Sequence, residues 1–245
     1  MRFKNILGGK QKTSIENIQS DFVSLASHQL RTPLSAIKWY TEMLMGQRQG
    51  KLGAKQLFYL REIYRSNERA INLVNDLLDV AHIQEGQIHL ELRPARVEDI
   101  IKEIMDNFGT LIKAGKVSVD FGIIGGPLPK VEVDREKLKR VIVNLLSNSV
   151  KYTQARGKIK ITVEKSRDHL KISVKDSGIG IPKADETKVF GKFFRSANVI
   201  KLAPDGTGLG LFIAKSLINA MGGKISFYSD EGKGTTFYFT LPLKQ

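Results

Sequence analysis

Four short stretches of this chain combine residue types that can do chemistry. The first is Ser27-His28-Gln29-Leu30-Arg31-Thr32-Pro33-Leu34. Phe22, Ala26, Leu30, Leu34, Ile37 and Leu44 recur at helical spacing and define an apolar stripe. At about 100° per residue, His28 falls roughly opposite the centre of that stripe. A lone histidine is ordinarily a satisfied core residue or a solvated surface one; this phase argues against the core and leaves either a solvated imidazole or a nucleophile. Pro33 removes a backbone donor, so a bend exposing the turn that carries the imidazole is expected.

The other three stretches suit a phosphorylated ligand. Asn144 and Asn148 in Asn144-Leu145-Leu146-Ser147-Asn148-Ser149-Val150-Lys151-Tyr152-Thr153 are four apart, hence on one helical face. Two amide oxygens at the edge of a pocket can hold hydrated Mg2+, with Lys151 near phosphate and Tyr152 free to stack on a base; a helix cap or a polar surface face gives the same pattern. Asp176-Ser177-Gly178-Ile179-Gly180-Ile181-Pro182 follows a strand. A carboxylate there can accept an adenine amino group while Gly178 and Gly180 let backbone pass close to the base, although a plain turn reads the same way. Gly206-Thr207-Gly208-Leu209-Gly210-Leu211 opens a helix reaching Met221, and small residues at a helix start present backbone N–H groups to phosphate. A dinucleotide-binding fingerprint fails on order, because no following strand and acidic residue complete it.

These stretches need elements to hold them. Ile15, Ile18, Phe22 and Leu25 are spaced like heptads, so residues Thr13 to about Gln47 read as one long helix entered from a coiled coil. Arg48-Gln49-Gly50-Lys51-Leu52-Gly53 is a turn, and a second helical pattern runs from Ala54 through Leu57, Leu60, Tyr64, Ile71, Val74, Leu78 and Ala81. Such a hairpin cannot bury its stripes alone; a four-helix bundle made from two chains can, so a homodimer is expected. After Glu85-Gly86-Gln87 the pattern changes to a strand at Ile88–Leu92, a helix from Val97 to about Ala114, a strand at Val117–Phe121, and a turn at Gly125–Pro129. Asp134 caps a helix containing Leu138, Val141, Ile142, Leu145 and Leu146, and alternation marks strands at Ile159–Val163, Leu170–Val174, Lys224–Phe227 and Thr235–Phe239. The fold class is therefore an all-α helical hairpin followed by an α+β sandwich with helices on one face of a sheet. The expected domains are a tail or linker over residues 1–12, the hairpin over 13–87, and the sandwich over 88–245.

Composition narrows the classes. The 245 residues are 41% hydrophobic, enough for real cores, and no run approaches the roughly 18 apolar residues of a membrane span. With no cysteine, disulfides and thiolate metal sites are excluded. The net charge of +14 divides as +4 over residues 1–89 (12 basic, 8 acidic) and +10 over 90–245 (27 basic, 17 acidic), without a long basic run. A basic surface around an anion-binding pocket is preferred over nucleic-acid binding.

The stretch Phe22 to Leu34 resembles the phosphoacceptor box of sensor histidine kinases, the input half of two-component signalling. The asparagine stretch, the Asp176 stretch and the Gly206 stretch resemble the asparagine box and the two glycine boxes of the Bergerat-type ATPase fold. Phe190-Gly191-Lys192-Phe193-Phe194-Arg195, inside the long charged segment Lys183–Asp205, resembles the phenylalanine box. The resemblance covers Phe22 to Leu243 and implies Mg-ATP binding, transfer of the γ-phosphate to a His28 nitrogen, and onward transfer to an aspartate of a response regulator. In that scheme His28, Gln29, Thr32 and Arg195 are catalytic, with Arg195 reaching the γ-phosphate. Asn144, Asn148, Lys151, Tyr152, Asp176, Gly178, Gly180, Phe190, Gly206, Thr207, Gly208, Leu209 and Gly210 bind the nucleotide, and Asn148 with Asn144 holds Mg2+. An upstream sensor domain is implied outside this chain, which would be cytoplasmic or the cytoplasmic part of a membrane-bound sensor. Neither nucleic acid nor direct membrane insertion is expected.

The sequence departs from the family pattern at one telling place. Most members carry an acidic residue after the histidine, and this chain has Gln29. Its carbonyl can accept an imidazole N–H but cannot take a proton, so a slower or differently tuned autokinase is expected. Thr32 is expected to position water for dephosphorylation of the regulator, unless its hydroxyl only bonds the preceding turn. Trp39 projects near the His28 face as a docking surface. The competing classes are a non-phosphorylating scaffold, favoured only by Gln29, and an ATPase acting on DNA or client protein. Such ATPases usually place a glutamate where this chain has Asn144.

Overall fold

Two compact units follow one another along the chain, Met1–Gln87 and Ile88–Gln245. The computed structural model describes residues 26–27, 29–46, 50–203 and 206–243. His28, the expected helix start from Thr13 through Phe22 and part of the Arg48–Gly53 turn lie outside the described residues.

In the first unit, helix α1 covers residues 29–45 and continues through Pro33. Helix α2 spans Ala54–Gln84, and its first turn is closed by the Gly53 backbone N–H donating to Gln56 Oε1 at 2.9 Å. Named bonds join the helices into a hairpin. Arg31 donates to Asn75 Oδ1 (2.9 Å), Asn67 Nδ2 donates to the Leu34 carbonyl (2.8 Å), and Lys38 pairs with Glu68 (2.9 Å). Val74, Leu78 and Ala81 are buried, as the periodicity of α2 predicts.

The stripe of α1 behaves differently from the expectation. Leu30, Ile37 and Leu44 stay 51%, 43% and 43% exposed, whereas Ser27 and Thr41 are buried. The hairpin turns inward the side of that stripe on which half-buried Leu34 lies in line, at seven-residue spacing, with Ser27 and Thr41. Thr41 tolerates burial because its hydroxyl donates to the Ile37 carbonyl at 2.6 Å.

In the second unit, strands β2 (Ser118–Ile124), β4 (Lys158–Lys165), β5 (His169–Asp176), β7 (Gly234–Pro242) and β6 (Lys224–Asp230) form one sheet in that order. β2 and β4 are parallel and the remaining pairs antiparallel. Buried Ile159, Ile161 and Val163 alternate with Lys158, Lys160 and Thr162, so one face of the sheet is apolar and the other polar. Helices α3 (Val97–Gly115), α4 (Arg135–Tyr152) and α6 (Gly210–Ala220) supply the second layer, with α4 packed on α3, α6 and β5, and α6 on β6 and β7. Ile100, Leu138, Ile142, Leu145, Leu146, Ile213 and Phe239 have essentially no exposed surface. Each such side chain contributes about 1.5–3 kcal/mol on burial.

One expected strand is displaced. Residues 88–92 are irregular, and the strand in this region is β1 (Arg93–Ala95), paired antiparallel with β3 (Val131–Val133). The cause lies in Asp134. Its Oδ1 caps α4 by accepting from Lys137 N (3.0 Å), while its Oδ2 accepts from Glu91 N (3.1 Å), so a side chain takes the backbone donor a ladder would have used. Within the long charged segment Lys183–Asp205 lie a 3-10 helix at Lys183–Lys188 and the short helix α5 at Ala197–Leu202.

Candidate functional site

Asp176 ends β5 and is 7% exposed. Its Oδ1 accepts from Gly178 N (2.9 Å) and Thr235 N (3.1 Å), and its Oδ2 from the Ser149 hydroxyl (3.3 Å). Burial pushes the carboxyl above the ordinary aspartate range, while those three donors favour the ionised form. The result is an aimed acceptor whose Oδ2 keeps lone-pair capacity for a further donor such as an exocyclic amine. Gly180 must be glycine: its φ is +69° and a Cβ would lie 2.1 Å from the Asp230 carbonyl.

Helix α4 carries this contact at one end and a different one further back. Ser149 meets Asp176, and five residues earlier, about 7.5 Å along the axis, Asn144 Nδ2 donates to the Gly210 carbonyl at 3.2 Å. That bond orients the Asn144 amide and leaves its oxygen as an acceptor. Asn148 lies between them, half-buried. Two neutral, hard amide oxygens on one face fit Mg2+, which keeps several waters and takes few protein ligands. Among the described residues no group of three or more His, Cys, Asp or Glu forms a metal cluster. Near the C-terminus of α4, Tyr152 is half-buried, and loss of solvent raises its phenol pKa against the opposing charge of Arg195. Lys151 is exposed, with Nζ 5.7 Å from the Tyr152 ring centroid.

The glycine-rich stretch opens α6 at Gly210, as expected. Thr207 Oγ1 accepts from Leu209 N at 3.2 Å, and Leu209 itself is buried. Gly208 has φ +71°, and a Cβ there would fall 2.7 Å from the Phe193 carbonyl carbon, so this loop and the phenylalanine stretch pack backbone to backbone. Arg195, expected to reach the γ-phosphate, lies beside the same glycine-rich loop. Its guanidinium donates to the carbonyls of Gly206 (3.0 Å) and Ala203, so here it holds the loop. Phe190 is engaged elsewhere, its ring 5.9 Å from Phe227 and 6.3 Å from Phe237 in an aromatic cluster.

The structure thus brings Asp176, Gly178, Asn144 and Gly210 around one helix, and binds Arg195 to Gly206. Ser149 and Thr235, which aim the carboxylate, were not singled out in the sequence. Ser149 sits within the asparagine stretch, but Thr235 is 59 residues from Asp176 and carries no motif. On the first unit, Gln29, Thr32 and Trp39 are exposed, the last at 56%. Among the described residues no helix is long and apolar enough to cross a membrane.

Comparison with known proteins agrees with this geometry. Residues 18–86 match the His Kinase A (phospho-acceptor) domain family, and residues 133–245 match the histidine kinase-, DNA gyrase B- and HSP90-like ATPase family. The sensor histidine kinase WalK of Bacillus subtilis is 37% identical over 238 residues, covering 96% of this chain and 38% of WalK. The chain spans about a third of the length of the curated relatives it matches. The crystal structure of full-length ShkA in complex with AMPPNP has a TM-score of 0.75 at 27% identity, covering 91% of this chain and 45% of that one. The catalytic domain of the histidine kinase ThkA has a TM-score of 0.56 at 33% identity, covering 63% of this chain and 99% of that domain. With phospho-acceptor and ATPase families matched in order, and a solved kinase catalytic domain matched over nearly its whole length, the chain belongs to the sensor histidine kinases of two-component signalling.

Proposed function

We propose that this chain is a kinase core in which residues 13–87 form the dimerisation and phosphotransfer domain and residues 88–245 the ATP-binding catalytic domain. The observation that carries the reading is helix α4, which touches the Asp176 carboxylate through Ser149 and the start of α6 through Asn144. Asp176 accepts the adenine amino group, Tyr152 stacks on the base, and the Gly206–Gly210 loop and Lys151 take the phosphates. Asn148 and Asn144 hold Mg2+, which when bound neutralises charge on the β- and γ-phosphates. The neutral imidazole of His28 attacks the γ-phosphorus; the new N–P bond forms as the bond to the β-phosphate oxygen breaks, and ADP leaves. Gln29 accepts the other ring N–H and fixes the tautomer, and the ring proton passes to water because an amide cannot take it.

Exposed Leu30, Ile37 and Leu44 on α1 support a homodimer, since a second hairpin would cover them. Exposed Trp39 supports docking of a response regulator, which receives the phosphoryl group on an aspartate, and exposed Thr32 is available to position water for the reverse hydrolysis. An ATPase acting without a phosphohistidine is disfavoured by Asn144, whose amide takes no proton from water and is committed to Gly210. Calorimetric titration with Mg-AMPPNP tests the site: the wild-type chain binds saturably, and Asp176→Asn weakens binding by about 100-fold, a difference of ~2.7 kcal/mol. Equal binding by the two proteins overturns the assignment of Asp176.

A further inference from the structure

The sheet has a second face, and the nucleotide site uses none of it. Along β4, β5, β6 and β7, the residues alternating with the buried row are Lys158, Lys160, Thr162, Glu164; His169, Lys171, Ser173, Lys175; Lys224, Ser226, Tyr228, Asp230; and Thr236, Tyr238, Thr240, Pro242. Five lysines meet three carboxylates on this face when Asp120 of β2, opposite Lys160, is included. Lys160 and Lys175 lie directly opposite each other across the β4–β5 ladder. Like charges in that position destabilise a sheet, and Asp120, opposite Lys160 on its other side, leaves Lys175 without a facing carboxylate in the ladder. Toward the β6 edge, Tyr228 and Tyr238 stack with centroids 4.9 Å apart and their hydroxyls bonded at 3.2 Å, and Lys171 Nζ lies 4.8 Å from the Tyr238 centroid. Tyr228 remains 64% exposed. Where this face meets the end of β5, a cleft of about 760 Å³ is lined by Lys175, Tyr228, Lys233 and Thr236 together with Asp176 and Thr235, so the cleft belongs in part to the nucleotide site and not to this face alone.

We propose that this polar sheet face docks an acidic protein surface, with the tyrosine pair as its anchor and the lysines around it as the complementary rim. Charge complementarity selects the partner: carboxylates offset the excess of five lysines over three carboxylates that the strands present on this face. An exposed aromatic ringed by hydroxyls and cations has the composition of an interface centre. The outward positions on these four strands hold no arginine, the preferred fork for nucleic-acid phosphates. They also hold no tryptophan, phenylalanine or leucine with which to insert into a lipid surface.

The test measures binding of fluorescein-labelled poly-L-glutamate to the full chain at physiological salt, with Mg-AMPPNP titration confirming that each variant keeps its fold. Lys160→Glu with Lys175→Glu is expected to weaken binding about tenfold or more. Lys102→Glu with Lys113→Glu, the same charge change on exposed positions of α3, should alter it by less than about twofold, and Tyr228→Ala should weaken it about fivefold at unchanged charge. Equal losses in the two lysine pairs, or no loss in Tyr228→Ala, overturn the proposal. So does tighter binding of a DNA duplex or of phosphatidylglycerol vesicles through Lys160 and Lys175.

Discussion

The two units of this chain reach stability by different routes. Residues 88–245 close a core of their own: the helices α3, α4 and α6 meet the apolar sheet face, and Leu145, Leu146, Ile172, Ile213 and Phe239 have essentially no exposed surface. The hairpin buries Val74, Leu78 and Ala81 but leaves Leu30, Ile37, Phe58 and Ile63 between 43% and 58% exposed. A site that must recognise one nucleotide is built where geometry is fixed by a complete core. On the hairpin, Leu30, Ile37, Phe58 and Ile63 remain for the proposed second copy to cover, and packing of that kind depends on concentration.

This contrast can be broken most severely at the interface. Leu30→Glu with Ile37→Glu should convert dimer to monomer, weakening association by more than about 1,000-fold because four apolar side chains per dimer would be lost from it. Nucleotide affinity should stay unchanged. Analytical ultracentrifugation with parallel titration reads both; a dimer that survives places the interface elsewhere.

The next largest effect concerns pH and the nucleotide unit. Burial raises the folded-state pKa of Asp176 above its unfolded value. Relative to the unfolded chain the fold therefore holds the Asp176 proton more tightly, and the stability this contributes below the unfolded pKa is lost as pH rises through the folded one. Binding of adenine needs the ionised acceptor and runs the other way, weakening as pH falls toward that raised pKa. Glu103 and Asp168, whose carboxyls are held low by their basic partners, act on melting in the other sense, so the quantity to follow is the difference between wild type and Asp176→Asn: across the acidic range that difference in melting temperature and the AMPPNP affinity should change in opposite directions. Parallel trends would mean another group governs the site.

Smaller changes sharpen the account of the hairpin. Gln29→Glu is expected to raise the autophosphorylation rate several-fold, up to about tenfold, by supplying a proton acceptor beside His28; an unchanged or lower rate would show that the amide suffices. Asn67→Ala removes the bond to the Leu34 carbonyl and should cost about 1 kcal/mol in denaturant unfolding. A neutral result would show that this bond contributes nothing net.

What could be read from the sequence follows the same division. Asn144 and Asn148 were legible because one helix sets their relation, and the capping role of Asp134 because caps act within a turn. The second use of Asp134, on Glu91 N, was not legible, and it moved the expected strand from 88–92 to Arg93–Ala95. Thr235 was invisible because only the pairing of β7 with β5 brings it to Asp176. On α1 the apolar stripe was plain, but two rows of seven-residue spacing compete for α2, and periodicity alone does not say which one turns inward. The guanidinium of Arg195 was read from its charge, whereas its observed partners are backbone carbonyls of the adjoining loop.

The most direct test of the central claim incubates the full chain with Mg2+ and γ-labelled ATP, beside His28→Ala. The account predicts label that is acid-labile and base-stable on the wild-type protein and absent from His28→Ala, with both proteins binding AMPPNP equally. Label that persists in His28→Ala, or no label on a wild-type chain that binds the nucleotide, would contradict it.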